Sequence, residues 1–200
     1  MLIIGHRGAA GLEPENTIRS FKKAQDSGAQ MLECDLRRTS DGKIVLSHDR
    51  KNDYSDSTGL DELLHMATLP LDLEIKESGF ENEVLESIKG FAHKVLITSW
   101  NPLVLKKIRA LDGNIQLGLV IATRYGILLP LVISFLKKVN IFSISVTPEL
   151  VNENRMSKFR ELGWRVYVYT INTPEEFYRL KNYGVDGIFT DYPDIVSKLN

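Results

Sequence analysis

Ionisable side chains stand at the ends of short apolar runs in this chain of 200 residues. His6 and Arg7 follow the run LIIG, and His48 and Asp49 follow the run KIVLS. Histidine side chains change protonation near neutral pH, so two of them in one site can serve as a general acid and a general base. His6 and His48 are therefore candidate catalytic residues.

Carboxylates are paired with a spacing of two residues in further apolar runs. Glu33 and Asp35 flank Cys34 in MLECDL, and Glu74 precedes Lys76 at the end of LPLDLEIK. On a strand, residues two apart face the same side, so these acids are expected to point the same way. A surface salt bridge would explain any one acid, but converging carboxylates repel one another unless a cation neutralises them. An all-oxygen set favours Mg²⁺ or Ca²⁺ over zinc, so Glu33, Asp35 and Glu74 are candidate ligands of one divalent cation.

Two basic residues lie beside these acids and indicate an anionic ligand. Arg7 follows the first histidine, and Lys76 ends the same run as Glu74. The planar guanidinium fork of arginine suits phosphate oxygens in particular. The residues together predict metal-assisted chemistry on a phosphate ester. The other two histidines, His65 and His93, fall in helical or turn segments, and we expect neither to take part.

These side chains need a fold that brings the ends of several strands together. Strand-like runs alternate with amphipathic helical segments along the chain, which predicts a parallel sheet with crossover helices. The runs are 2–5, 31–36, 43–47, 69–75, 94–99, 115–121, 140–146, 165–171 and 186–191. The run 43–47 follows the turn SDGK and is expected to be a hairpin partner, which leaves eight βα units and predicts a compact (β/α)₈ TIM barrel. A doubly wound open sheet is the alternative, but no glycine-rich phosphate loop follows any run.

Composition describes one globular domain over residues 1–200. The chain is 43% apolar and carries 25 basic against 26 acidic side chains, a net charge of −1 that argues against a nucleic-acid partner. Cys34 is the single cysteine, which excludes an intrachain disulfide and favours a reducing compartment. The opening MLIIGHRG lacks the long apolar core of a secretion signal, so the expected location is cytoplasmic.

The longest apolar stretch, GILLPLVISFL, runs from Gly126 to Leu136 between Arg124 and Lys137. It is shorter than the roughly 20 residues that a membrane span requires, so we expect no span. A buried helix is the favoured interpretation. An interfacial anchor that contacts a membrane peripherally is the alternative.

Read in order, the motifs of this chain resemble those of glycerophosphodiester phosphodiesterases. The matching segments are His6-Arg7-Gly8, Pro14-Glu15-Asn16-Thr17, Glu33-x-Asp35, His48-Asp49, Glu74-Ile75-Lys76, Ser99-Trp100, YTIN at 169–172 and GVDGIFTDYP at 184–193. Each motif alone is weak, but their ordered occurrence over nearly the whole chain is specific.

The resemblance implies a TIM barrel that hydrolyses glycerophosphodiesters to sn-glycerol 3-phosphate and an alcohol with one divalent cation, Mg²⁺ or Ca²⁺. The site residues that it implies are His6 and His48 as acid and base, Arg7, Lys76 and Tyr169 toward the substrate, and Glu33, Asp35 and Glu74 on the cation. Asn16 and Thr17 belong either to this site or to the cap of the first helix.

Two departures from the family pattern stand out. Only about eight residues, Arg50 to Ser57, occupy the place of the family's small capping subdomain, so a truncated insertion and a more open mouth are expected. Tyr169 stands where the family more often has tryptophan, which keeps the substrate-facing wall aromatic.

Two other functions stay open. One is a lysophospholipase-D-like or phosphoinositide-lyase-like phosphodiesterase, whose lipid substrate the open mouth and the segment 126–136 would suit. The other is a noncatalytic ligand-binding barrel. Such a barrel would be expected to lack a histidine or a carboxylate, and this chain keeps all five candidate residues.

Overall fold

Nine strands form one closed sheet in the computed structural model, which describes residues 1–199 except for the side chains at 125 and 127–129. The strands are β1 (Leu2–Gly5), β2 (Met31–Arg38), β3 (Ile44–Leu46), β4 (Leu71–Ile75), β5 (Val95–Ser99), β6 (Gln116–Ile121), β7 (Ser143–Val146), β8 (Arg165–Val168) and β9 (Gly187–Thr190). Their order is β1-β9-β8-β7-β6-β5-β4-β2-β3, and β1 also pairs with β2 to close the ring. All pairings are parallel except that of β3 with β2. The predicted (β/α)₈ barrel with a hairpin arm is confirmed.

Helices connect successive strands and cover the outside of the barrel. They are α1 (Ile18–Asp26), α2 (Leu60–Met66), α3 (Glu81–Ser87), α4 (Pro102–Leu111), α5 (Leu129–Val139), α6 (Glu153–Glu161), α7 (Pro174–Tyr183) and α8 (Pro193–Val196). Side-chain caps begin α1, α4, α6 and α7, at Thr17, Asn101, Asn152 and Thr173. Each capping oxygen accepts a backbone N–H of the first turn that has no partner within the helix.

Strand alternation divides the apolar side chains into two layers. Leu32, Cys34 and Leu36 point outward from β2 into the large core between sheet and helices. Met31 belongs to a second cluster inside the barrel, together with Ile4, Leu96, Tyr167 and Phe189. The same alternation turns the odd-numbered acids of β2 inward, because successive strand side chains face opposite sides.

The chain takes a short path from the hairpin arm to the next helix. Residues 50–58 contain neither helix nor strand, and Gly59 forms an isolated bridge with Val45 directly before α2 begins. The truncated insertion predicted at Arg50 to Ser57 is thereby confirmed.

The apolar segment 126–136 is helical, but its burial is only partial. It spans the end of a 3₁₀ turn (Thr123–Leu128) and most of α5. Leu136 is fully buried and Val132 packs against the core, whereas Leu131 is 77% exposed. Over the described part of the chain, no helix combines the length and the apolar character needed to cross a membrane. The cytoplasmic location expected from the sequence stays a prediction.

Cys34 is predicted to be unreactive in the native protein. The residue is fully buried, and burial raises the pKa of its thiol well above the usual value. Since only the thiolate attacks thiol reagents, labelling should proceed at the slow rate of unfolding. Labelling by a disulfide reagent is measured in buffer and in denaturant. Fast labelling in buffer would contradict the outward, helix-covered position of this side chain.

Candidate active site

A cavity of about 620 Å³ opens at the carboxyl ends of the barrel strands. Seven of the eight predicted site residues line it, namely His6, Arg7, Glu33, His48, Glu74, Lys76 and Tyr169. The eighth, Asp35, is almost fully buried and forms ion pairs with Arg7 and Lys76. The structure therefore brings the residues chosen from the sequence into one place.

Pairing between β2 and β4 sets the positions of the acids. Glu33 lies beside Asp72, and one step further along Asp35 lies beside Glu74. Parallel neighbours are about 4.8 Å apart, so inward side chains in register are crowded together. One carboxylate oxygen each of Glu33, Asp35 and Glu74 lies within 4.8 Å of the other two.

Two cationic side chains stabilise the innermost of these carboxylates. Lys76 Nζ lies 3.2 Å from Asp35 Oδ1 and 3.0 Å from Glu74 Oε1, and Arg7 Nε lies 3.1 Å from Asp35 Oδ2. The Asn16 amide donates to the same Oδ2 at 3.0 Å. Burial raises the pKa of Asp35, but Lys76, Arg7 and Asn16 together outweigh it and hold the pKa below its usual value.

The remaining acids are less well compensated. Burial, reinforced by Asp35 and Asp72, raises the pKa of Glu33 well above normal, although the Arg7 backbone N–H donates to Glu33 Oε2 at 2.8 Å. Burial raises the pKa of Asp72 to about 8 despite a 2.6 Å hydrogen bond from Thr98 Oγ1. Asp72 Oδ2 is buried and has no hydrogen-bond partner among the described residues.

The charge balance of this cluster fits a divalent cation. Fully ionised, the four acids would exceed the charges of Arg7 and Lys76 by two. The donors that converge are carboxylate oxygens, which a hard cation prefers. Glu33, Asp35 and Glu74 are the residues that fit this role.

The two histidines are held differently. His6 Nδ1 lies 2.7 Å from Asp191 Oδ1, whereas His48 Nδ1 lies 2.8 Å from Oδ1 of its neighbour Asp49. The Arg37 guanidinium donates to the backbone carbonyl of His48 at 2.7 and 3.0 Å. Both rings line the cavity, so each can reach a ligand there.

The loop after β1 folds tightly to place Arg7 and Asn16. Gly8 has φ +87°, and a Cβ there would lie 2.6 Å from the carbonyl carbon of Ser20. The Asn16 N–H donates to the Arg7 carbonyl at 3.0 Å, which brings the Asn16 amide to Asp35. Thr17 caps α1 by accepting from the Ser20 N–H. Of the two roles expected for Asn16 and Thr17, Thr17 therefore has that of the helix cap, and Asn16 contacts the acid cluster.

Apolar and aromatic side chains form another part of the cavity wall. Leu119, Ile121 and Val132 line the cavity, and Tyr169 packs edge-on against Phe189 at 6.3 Å between ring centroids. The exposed Trp100 indole donates to the Lys76 carbonyl at 3.1 Å. The cavity thus offers a charged side to a phosphate and an apolar side to another part of a ligand. Pro102, Thr98 and Arg124 also line the cavity.

Comparison with known proteins decides the family. The family model described as the glycerophosphoryl diester phosphodiesterase family matches residues 6–69 and 66–195. The chain belongs to this family. The predicted resemblance, and with it the prediction of an enzyme of this family, is confirmed.

Relatives of this family member match it along its whole length. The uncharacterized protein YqiK of Bacillus subtilis is 30% identical, over 98% of this chain and 97% of the relative. A glycerophosphodiester phosphodiesterase of Caldanaerobacter subterraneus is 26% identical, over 99% and 97%. Among solved structures, an Oleispira antarctica phosphodiesterase in complex with the product sn-glycerol-3-phosphate has a TM-score of 0.90 at 22% identity, over 100% and 96%.

Three polar residues of the site, Asp72, Asp191 and Asn172, were not predicted from the sequence of this family member. Asp72 lies two residues before Glu74, so the alternation that selected Glu74 also places it inside the barrel. Asp191 directly follows β9, a strand-end position like that of His6. Asn172 hydrogen-bonds to Asp191 and carries no such signal of its own.

Removal of one acid ligand is predicted to weaken cation binding. Because Glu74 supplies one of three converging oxygens, Glu74→Gln should weaken binding of Mg²⁺ or Ca²⁺ by about 10²-fold or more, since even residues that only support a metal ligand are worth roughly 10–100-fold. Calorimetric titration of the chelator-treated protein measures this. The matched control, Glu86→Gln on the exposed face of α3, should bind like the wild type. Equal binding by both variants would contradict the site.

The metal-free protein is predicted to gain stability at alkaline pH when Asp72 becomes asparagine. The folded pKa of about 8 exceeds the ordinary 3.8, so the stability that this proton provides is full below about pH 4 and is lost as pH rises through 8. Asparagine cannot ionise. Since one pKa unit is worth about 1.4 kcal/mol, the free energy of unfolding of Asp72→Asn should exceed that of the wild type by at least ~1 kcal/mol at high pH. Urea unfolding in chelator at about pH 5 and pH 9 tests this; an equal difference at both would contradict it.

Proposed function

We propose that this chain hydrolyses glycerophosphodiesters to sn-glycerol 3-phosphate and an alcohol, using one divalent cation and the pair His6 and His48. The observation that carries the proposal is the shared cavity, which both histidines line together with Glu33 and Glu74 of the acid cluster. Membership of the family supports the same reaction. The product sn-glycerol-3-phosphate, bound by the Oleispira antarctica relative, is the product expected here.

Arg7 and Lys76 orient the phosphate in this proposal. Both lie at the cavity wall, and both are partly buried, which strengthens their attraction for an anion. Carboxylates raise the pKa of Lys76 despite its burial, so the side chain stays an ammonium at neutral pH. The guanidinium of Arg7 is held at Nη1 by Glu15 at 2.7 Å and at Nε by Asp35, which fixes its plane.

Glu33, Asp35 and Glu74 hold the divalent cation, and its chemical contribution is that of a Lewis acid that polarises phosphoryl oxygens. The chain's own residues prepare that site. Asn16 bonds both ends of its amide to Asp35, which orients this carboxylate. The Arg7 backbone N–H does the same for Glu33.

His6 and His48 move the protons. In-line displacement at phosphorus needs a base at the attacking oxygen and an acid at the departing one. Each ring is engaged at Nδ1 by a carboxylate, so Nε2 is the nitrogen that remains for transfer. The attacking group is either the glycerol 2-hydroxyl, which would form a cyclic phosphate, or water, and the same pair serves both.

A lysolipid is the second candidate substrate, and the apolar side of the cavity favours it. Val132 lines the cavity, and its neighbour Leu131 is exposed at the amino end of α5. Trp100 and Leu103, at the amino end of α4, are also exposed. These apolar side chains would contact the acyl chain of a lysophospholipid without desolvating polar groups of their own.

Loss of either histidine is predicted to impair turnover and not folding. His6→Ala and His48→Ala should each lower kcat on the order of 10²–10⁴-fold, the usual contribution of a positioned acid or base. His65→Ala serves as the matched control, since His65 bonds only to the backbone carbonyl of its own helix among the contacts described. Release of sn-glycerol 3-phosphate from glycerophosphocholine is measured. Wild-type turnover in the His48→Ala protein would refute the assignment.

Substitution of two leucines on α4 tests which of the two substrate classes the protein uses. Leu103 is 64% exposed at the mouth end of this helix, and Leu111 is 49% exposed at the far end. If lysolipids are substrates, Leu103→Gln should lower kcat/KM on lysophosphatidylcholine by about 10- to 100-fold, since burying one apolar side chain is worth ~1.5–3 kcal/mol. Leu111→Gln should leave it unchanged, and soluble glycerophosphocholine should not distinguish the two variants. No turnover of any diester by the wild type would favour the noncatalytic barrel.

A further inference from the structure

His6 belongs to a hydrogen-bonded chain that runs away from the acid cluster. Its Nδ1 contacts Asp191 Oδ1 at 2.7 Å, and Asp191 Oδ2 accepts from Asn172 Nδ2 at 2.7 Å. The side-chain oxygen Oδ1 of Asn172 accepts in turn from the Asp191 N–H at 2.9 Å and from Thr190 Oγ1 at 3.2 Å. Every polar atom of the Asn172 side chain thus helps to fix one carboxylate.

Asp191 is suited to remain an anion in this position. Burial raises its pKa, but the hydrogen bonds from His6 and Asn172 outweigh burial and leave the pKa below its usual value. An ionised carboxylate only accepts hydrogen bonds, so the proton between the two groups lies on His6 Nδ1. The Nε2 lone pair is then directed away from Asp191, on a ring that lines the cavity.

The second histidine lacks such a clamp among the described residues. Its partner Asp49 has a side chain that is 84% exposed, against 23% for Asp191. An exposed carboxylate is screened by water and contributes little to ordering its neighbour. The two rings therefore differ in how well a neighbouring carboxylate stabilises a positive charge on them. A general base gains such a charge during the reaction, which suits His6, whereas a general acid must regain its proton from solvent, which suits His48.

We propose that Asp191, clamped by Asn172, is a positioning residue that holds His6 as the general base of the reaction and leaves His48 as the general acid. This inference rests on the proposed function. Nε2 of His6 takes the proton of the attacking hydroxyl as its oxygen bonds to phosphorus. The bond to the leaving oxygen breaks, and His48 supplies the proton that this oxygen gains. The imidazolium formed at His6 faces the Asp191 carboxylate.

A substrate with a good leaving group distinguishes the base from the acid. The p-nitrophenyl diester of glycerol 3-phosphate needs little protonation of its leaving oxygen, so His48→Ala should lose far less activity on it than on glycerophosphocholine. His6→Ala and Asp191→Asn should lose on the order of 10²–10⁴-fold in kcat on both substrates, with KM nearly unchanged. Asn172→Ala should fall between Asp191→Asn and the wild type. If the p-nitrophenyl diester restored the activity of His6→Ala and not that of His48→Ala, the assignment of His6 as the base would be wrong.

The positioning role has a readout that needs no activity. ¹⁵N NMR of the imidazole rings should show His6 with its proton on Nδ1 in the wild type, and a mixture of tautomers in Asp191→Asn. Asp49→Asn should leave the His6 signals in place. A wild-type chain without phosphodiesterase activity would remove the proposed function and the base assignment with it. An unchanged His6 tautomer in a folded Asp191→Asn protein would overturn the positioning role alone.

Discussion

Electrostatic repulsion among four inward carboxylates is the constraint on which the rest of the site depends. The register of β2 against β4 places Glu33 beside Asp72 and Asp35 beside Glu74 inside the end of the barrel. Three side chains reduce this repulsion. Lys76 forms ion pairs with Asp35 and Glu74, and Arg7 and Asn16 contact Asp35. Of these side chains, Lys76 and Arg7 also present positive charge to the cavity, where we propose that the phosphate binds.

The neighbouring cations and hydrogen-bond donors stabilise the negative charge of some of these acids more than that of others. Asp35 receives both cations and an amide, and its pKa is lowered, whereas the pKa values of Glu33 and Asp72 are raised. Without a divalent cation, burial and mutual repulsion therefore favour protonation of Glu33 and Asp72, whereas coordination favours ionised carboxylates. Because a carboxylate must lose its proton to bind a cation, the affinity of the site for a cation depends on pH.

Alternation along strands was enough to find part of the site from the sequence. It placed Glu33, Asp35 and Glu74 on one side and Cys34 on the other, as the structure has them. The role of Asp191 lay beyond it, because that residue contacts His6 across 185 positions of sequence.

Burial of individual side chains was harder to predict than the elements that carry them. The apolar run ending at Leu136 is the helix that its composition indicates, yet Leu131 is exposed. Hydrophobicity marks which residues can be buried, while the neighbouring helices decide which faces are covered. The eight-unit repeat needed no such knowledge, since the alternation of strands and helices alone predicts the barrel.

The central claim is that the acid cluster holds protons which a divalent cation displaces. Calorimetric titration of Mg²⁺ or Ca²⁺ at pH 7, in buffers with different ionisation enthalpies, counts the protons released for each cation bound. We expect net proton release by the wild type, and less by Glu33→Gln, because burial and the neighbouring acids favour the protonated form of Glu33 and a bound cation favours the ionised form. Cation binding with no proton release in any buffer would contradict it.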